Sequence, residues 1–550
     1  IPIQMPRNNF MAGFVQDDIH LTQKITLNLG LRYEYYGAMT DPTNRLSRYL
    51  DLTNPIPELS GANTPSLPAL ATQLRTSPPV YNGAWLFTTP SNRNSWNPPT
   101  TLFEPRIGVA WAINSKTALR AGWARYIIPA TLTDSLNILG SVPYPGYAAT
   151  STVVAPLQGV PQATLSNPFP GGIVQPTGNS LGRYTALGDT ATFFDPNFNP
   201  GVNDRFNVSL QRQLPAQLLL DATFFTNLGH NLPYSQDLNL ADPRIAFQYG
   251  NQVNTSVANP FYNLLPATQM PGQLRTQAKV AVNQLLRPYP QYSDLWEALI
   301  GGRGDRYKSL QLSVRRPFSN GFNLSVGYNY NREVDQEYYD NVDEYLHNFT
   351  WTPTQTPRHR LTVASVYEVP FGRGRKLLSN ANRLVDGVVG GWTLSGIYTY
   401  NSGIPLRFGS TGTTGTSASS YVGGSLSGAP IANSGVVATA DPAISNPTPG
   451  HWFNTAVISQ LPAFTRATNP VQYNDWLGPR FVNVDLALAK QFAIRERLHL
   501  ELRVDAFNVP NTFTPGNPVT SPTNTNFGKA VDEAAGTYGR QIQYSGKFIF

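Results

Sequence analysis

Along most of the chain apolar and polar residues alternate one by one, the period of a strand with unlike faces. The last stretch, Arg540 to Phe550 (RQIQYSGKFIF), shows the rule. Ile542, Tyr544, Gly546, Phe548 and Phe550 share one face, and Gln541, Gln543, Ser545 and Lys547 the other. A soluble terminus is usually frayed and polar; a strand crossing a bilayer sets apolar residues toward lipid, polar ones toward the lumen and an aromatic at the interface. Lys24 to Tyr36 repeats the pattern, with Ile25, Leu27, Leu29, Leu31, Tyr33 and Tyr35 opposite Thr26, Asn28, Gly30, Arg32 and Glu34. Phe10 to Asp18 precedes it with weaker alternation. Further pairs are predicted at Phe103 to Ile113 with Thr117 to Ile127, Asn203 to Gln213 with Gln217 to Asn227, and Asp305 to Arg316 with Gly321 to Arg332. Arg358 to Pro370 with Gly391 to Ser402 follows, and then a pair built on Val482 to Leu488 and Leu498 to Ala506, around a turn at Ala493 to Glu496.

With the terminal strand this makes about thirteen strands, each long enough to cross a bilayer when tilted. Short and long connections alternate strictly, as they do when one side of a membrane carries turns and the other carries loops. The long ones are about 37–102, 128–202, 228–304, 333–357, 403–479 and 510–539. The predicted fold is all-β, a transmembrane antiparallel β-barrel with short periplasmic turns and long extracellular loops. If Phe550 ends on the periplasmic side, the first strand runs from outside to inside. At least one strand is then expected before Ile1, and, because single-chain bacterial barrels are even-stranded, an odd number in all. The segment alone is expected not to close.

Composition agrees. Only 13% of residues are charged and 11% are aromatic, which argues against disorder. The absence of cysteine excludes a disulfide scaffold, a thiolate metal site and cysteine catalysis. A net charge of +7 is spread along the chain, with no basic stripe or recognition helix, so no nucleic-acid partner is expected. No apolar run reaches the length of a membrane helix. The N-terminus carries no signal peptide and reads as a cut end.

The residues then resemble a family. FVQDDIHLTQKITLNLGLRYEYYG (14–37), EPRIGVAWAINSKTALRAGWARY (104–126), YKSLQLSVRRPFSNGFNLSVGYNYNREVD (307–335), RHRLTVASVYEVPFGRGRKLL (358–378), GGWTLSGIYTYNSGIPL (390–406), WFNTAV (452–457) and FVNVDLALAKQFAIRERLHLELRVDAFNVPN (481–511) look like TonB-dependent outer-membrane receptors of the Oar-like type. The specificity lies in the ordered set. The resemblance implies a 22-stranded barrel, of which residues 1–550 are the C-terminal portion, with the plug and N-terminal domain not present. It implies a place in the bacterial outer membrane and uptake of an unknown ligand through a gated barrel. Its implied partners are outer-membrane lipid, the barrel assembly machinery and a TonB-type energy-transducing complex reached through the missing N-terminal region. Tyr544, Phe548 and Phe550 are similar to the signal that the assembly machinery reads. A passive porin-like channel, and a surface structural or adhesion barrel without transport, are the alternatives; a soluble β-rich secreted protein is a further one.

Few constellations carry chemistry. Glu333 to Asn348 is dense in carboxylates, and Asp335, Glu337, Asp340, Asp343 and Glu344 are weak candidates for a metal or cationic ligand, because hard cations want several oxygens. Their spacing fits no calcium loop, and a solvated external loop is the plainer expectation. Arg32, Arg120, Arg315, Glu501 and Arg503 fall on polar strand faces and are expected to face the lumen, either as a path for anionic ligands or paired with acids of the wall or the plug. Trp85, Trp96, Trp296 and Trp476 fall in loops, where stacking on carbohydrate is conceivable. The tripeptide Arg303, Gly304, Asp305 matches a cell-adhesion motif, though such triplets arise by chance in Gly-rich loop tips. Gly409 to Gly415 lacks the Lys and Ser or Thr of a phosphate loop. The six histidines lack zinc spacing, and no serine sits in a nucleophile elbow. No enzyme and no cofactor are expected.

Overall fold

The alternation becomes strand register in the computed structural model, which describes residues 7–129, 146, 151, 160–408, 425–426, 429–495, 498–534 and 536–550. Among the described residues thirteen antiparallel strands follow one another in chain order along one sheet, to which the short strands Ala191–Phe194 and Phe349–Pro353 also pair. The thirteen are β1 (Phe10–His20), β2 (Ile25–Tyr36), β3 (Leu102–Asn114), β4 (Thr117–Ile128), β5 (Gly201–Gln213), β6 (Leu219–Asp237) and β7 (Leu295–Ser319). The series continues with β8 (Phe322–Tyr339), β9 (His359–Glu368), β10 (Trp392–Asn401), β11 (Phe481–Arg495), β12 (Leu498–Phe507) and β13 (Gln541–Ile549). Among the described residues no pairing joins β1 to β13.

Each strand places its apolar residues on the same side as its neighbours do. Ile19, Leu27, Val109, Ala121, Val208, Phe224, Leu310 and Tyr330 form one cross-strand row over eight strands. This face is left open: Ile107 and Val208 are among many large apolar residues exposed on it. A one-residue slip would turn every such residue inward, so an apolar surrounding fixes the register. The hairpin between β7 and β8 turns on Asn320 at φ 52° and Gly321 at φ 76°. That is the left-handed pair a tight hairpin needs, and the Asn-Gly sequence supplies it.

Three strands run further than the alternation predicts. β6, β7 and β8 reach 19, 25 and 18 residues, where about ten cross a bilayer. The expected loops 228–304 and 333–357 are therefore partly strand. The sequence hides this because β7 shifts register against β6 between Glu297 and Ile300, Gly301 and Arg303, and Arg303 and Asp305. Each shift breaks the period of two. The Arg303, Gly304, Asp305 tripeptide consequently lies inside β7 and not at a loop tip. Gly304 is buried, and the Arg303 guanidinium lies 4.9 and 4.8 Å from the Tyr234 and Phe349 rings. The adhesion motif is thereby excluded. Glu496, at the expected β11–β12 turn, and Gly409 to Gly415 lie outside the described residues.

The long connections hold the buried cores. Leu50, Leu59, Trp85, Leu187, Phe193, Ile245, Phe261, Leu285 and Tyr292, from three successive long connections, pack into one cluster. A second cluster, with Phe408, Phe453 and Trp476, draws on the β10–β11 connection. Tyr339 and Val342 meet Ile431 in a third that joins the two.

Candidate functional site

Because side chains alternate, the polar positions of neighbouring strands also fall in rows. Arg120, Ser209, Thr223, Gln311, Asn329 and Arg360 occupy one row over six strands. A cavity of about 700 Å³ opens on this face, with Gln211, Asp221, Gln311, Arg315 and Arg360 in its wall. Asp221 accepts from Gln211 Nε2 at 2.7 Å, Thr223 Oγ1 at 2.8 Å and Ser209 Oγ at 3.2 Å. The polar face is thus a concave, hydrogen-bonded surface able to guide a polar solute.

Nearer the long connections the same face carries groups that the sequence reading missed. Tyr126 lies between two guanidinium groups, Arg205 at 4.8 Å and Arg106 at 5.2 Å from its ring. Arg205 Nε donates to Asn227 Oδ1 at 3.2 Å, and Asn227 Nδ2 donates to Asp305 Oδ2 at 3.0 Å. The available signal was parity: Arg106, Tyr126, Arg205 and Asn227 all stand at inner positions of their strands. Cationic groups concentrate toward β3 to β5 and carboxylates toward β7 and β8, where Asp305 and Asp335 are direct cross-strand neighbours.

The expected inner-face residues separate into two kinds. Arg32 Nε is 2.6 Å from Glu34 Oε1 and 3.6 Å from Glu104 Oε1, and Arg503 Nη2 is 2.7 Å from Asp505 Oδ1. Glu501 accepts from Gln491 Nε2 at 2.9 Å. These are bound within the wall. Arg120 and Arg315 face the cavity side without a carboxylate within ion-pair distance among the described residues. The acidic candidates are not gathered. Asp335 and Glu337 stand in β8, and Glu337 Oε2 takes Arg407 Nη1 at 3.0 Å. Asp343 pairs with Arg466, Asp340 accepts from Asn341 Nδ2 at 3.0 Å, and Glu344 from Asn348 Nδ2 at 2.6 Å. No set of three His, Asp or Glu side chains able to hold a metal is found among the described residues. At the chain's end, Tyr544 and Phe548 lie on the exposed apolar face of β13, and Phe550 is 93% exposed just beyond it.

Above the strands, the cap is a folded body. Asp237 and Arg287 are buried in it; the Asp237 carboxylate accepts from the backbone N–H groups of Asn239 and Leu295 at 2.9 Å each. Arg287 Nη2 holds Asp294 at 2.8 Å. Trp85, Trp96 and Trp476 are buried in the cap cores, which removes them as stacking platforms for carbohydrate. A cleft of about 360 Å³ opens beside Arg75, Asp242, Arg244 and His347.

The family model described as the outer membrane beta barrel domain matches residues 2–543. No curated protein matches the chain. Among solved structures, the chain is similar to the ferric-catecholate import receptor Fiu from K12 E. coli, with 9% identity, a TM-score of 0.40 and coverage of 99% of this chain and 45% of that one. It is likewise similar to the outer-membrane transporter YddB from Escherichia coli, with 10% identity, a TM-score of 0.40 and coverage of 99% and 54%. For P. aeruginosa FpvA bound to heterologous pyoverdines the values are 9%, 0.39, 99% and 38%. The chain spans about four tenths to one half of the length of these proteins. The exposed apolar face, the polar concave face and the match over nearly the whole length converge: this chain belongs to the outer-membrane β-barrel domain family and is a protein of the outer membrane.

Proposed function

We propose that the chain is the C-terminal barrel portion of a TonB-dependent outer-membrane receptor of the Oar-like type, which captures a ligand with its long external loops and passes it through a gated barrel. The sorting of connections carries this reading. The connections that build the cap leave one edge of the sheet, while the other edge has tight turns except for the β9–β10 connection, and the cap stands over a polar inner face. That arrangement supports capture at the cap and passage along Arg120, Arg315 and the hydrogen-bonded rows. The ordered family-like segments support the receptor type, and with it a plug, a barrel of about 22 strands and a contact with a TonB-type complex, all supplied by a longer chain.

The test is uptake by cells making the full-length protein, offered ferric siderophores, cobalamin, glycans and peptides. Uptake of one class that requires both the receptor and the energy-transducing complex, and stops with a protonophore, is the expected result. Uptake indifferent to the protonophore would replace the proposal with a passive channel. Surface binding without entry would replace it with an adhesion barrel.

A further inference from the structure

The connection between β9 and β10 is longer than the other turns on its edge of the sheet, and basic. It contains the helix Arg383–Val389, started by Asn382, whose side chain accepts from Val385 N at 2.9 Å, and followed by Gly390. Its end is tied to the apolar, lipid-facing side of the sheet. Trp392 shares that side with Leu394, and its Nε1 donates to Val388 O at 2.8 Å. Lys490, directly across from Trp392 on β11, donates to the Val388 carbonyl at 3.4 Å and to the Gly390 carbonyl. Lys490 is 4% exposed although it stands on an otherwise open face, because the helix end, Trp392 and Phe492 surround it.

So fixed, the connection turns apolar residues outward. Leu384 is 84% and Val388 70% exposed, one helical turn apart on the same side, and Leu377 and Leu378 are exposed as well. Arg373, Lys376 and Arg383 of the same connection are also exposed, with no ion pair among the described residues. An apolar helix face accompanied by exposed cations in the same connection and continuous with a lipid-facing strand surface fits the layer of a membrane where headgroups meet acyl chains. We propose that residues 371–390 are an interfacial anchor. Leu384 and Val388 dip into the leaflet on the tight-turn side, and Arg373, Lys376 and Arg383 hold the phosphates of its anionic lipids.

Residues 1–550 contain no cysteine, so with any cysteine of the longer chain replaced by serine a single introduced thiol reports one place. Leu384→Cys, Val388→Cys and, as a reference on the lipid face of β10, Leu394→Cys are to be made in the full-length protein. They are then labelled with an environment-sensitive fluorophore and inserted in phosphatidylethanolamine vesicles with or without phosphatidylglycerol. The expected result is blue-shifted emission at 384 and 388, quenched by shallow acyl-chain spin labels, with 394 quenched by deeper ones. The R373Q/K376Q/R383Q variant is expected to lose the phosphatidylglycerol-dependent part of the shift. Emission at 384 and 388 as in water, quenched by iodide while 394 remains in lipid, overturns the anchor and leaves the barrel standing. Emission as in water at all three positions overturns both. An unchanged shift in the triple variant overturns the role given to the cations.

Discussion

Asp237 stands at the top of β6, inside the cap and well beyond the apolar band, with no exposed surface. Burial pushes its carboxyl up from 3.8 to about 6, against the backbone N–H groups of Asn239 and Leu295 and the charge of Arg287, which favour the anion. Between about pH 4 and pH 6 the folded cap therefore keeps a proton that the unfolded chain has released. The cap loses stability as pH rises through that window, by about 3 kcal/mol at most, and the loss is complete above it. Amide exchange in residues 238–294 should quicken from pH 4 to pH 6 after correction for intrinsic rates. Asp237→Asn, whose amide oxygen still accepts from both backbone donors, should remove this slope; a slope that persists would assign it to another group. At this scale the sequence was half legible. Parity placed Arg32 and Arg503 on the polar face because alternation is local. Glu34 and Asp505, two residues further along the same strands and on the same face, were legible the same way; Glu104, directly across from Arg32, could be chosen only by register, and the burial of Trp85, Trp96 and Trp476 depends on chain segments far away in sequence.

For whole elements legibility was greatest where the surroundings impose one period. Strands bounded by lipid on one side and a polar interior on the other must alternate, and β2, β3, β4, β5, β9 and β10 lie within about two residues of where alternation put them. Beyond the bilayer that demand ends. The upper parts of β6, β7 and β8 have cap residues on one side and bulges between them, so no period marks them. The helix at 383–389 was missed for a related reason: seven residues are too few for a helical period to show among glycines and valines. β13 carries a prediction of its own. Its exposed Tyr544, Phe548 and the terminal Phe550 form an aromatic row on the apolar face. Deleting Phe550, or Phe548→Ser with Phe550→Ser, should lower the amount of assembled, heat-modifiable barrel in the outer membrane severalfold without changing synthesis. Equal assembly would overturn the proposal that these residues are an assembly signal.

Taken as a whole, the molecule divides into a wall, which composition and alternation announce, and a cap, which they do not. Cap segments are rich in Pro, Gly and short polar runs, and their apolar residues find one another only in three dimensions. Arg407 is a polar tie between the second cap cluster and the wall. Its guanidinium reaches Glu337 Oε2 and Tyr338 Oη at 3.0 Å and Gln472 Oε1 at 2.7 Å. Charge-assisted bonds of this kind contribute about 1.5–3 kcal/mol each. Arg407→Ala should speed amide exchange in Val436 to Gln460 by about tenfold or more while exchange in β8 to β11 stays as it was. Equal exchange in the variant would show the cluster to be held by its other ties, Ile431 against Tyr339 and Val342, the Arg466–Asp343 pair and the Gln472 Nε2 bond to Pro353 O. The larger cluster has another consequence. Leu59, Leu187 and Tyr292 come from three separate connections yet share one interior, so none of those connections can be traded singly with that of a related barrel. Inheritance of a new specificity, in nature or by grafting, has to move residues 37–101, 129–200 and 238–294 together, as one exchangeable cassette.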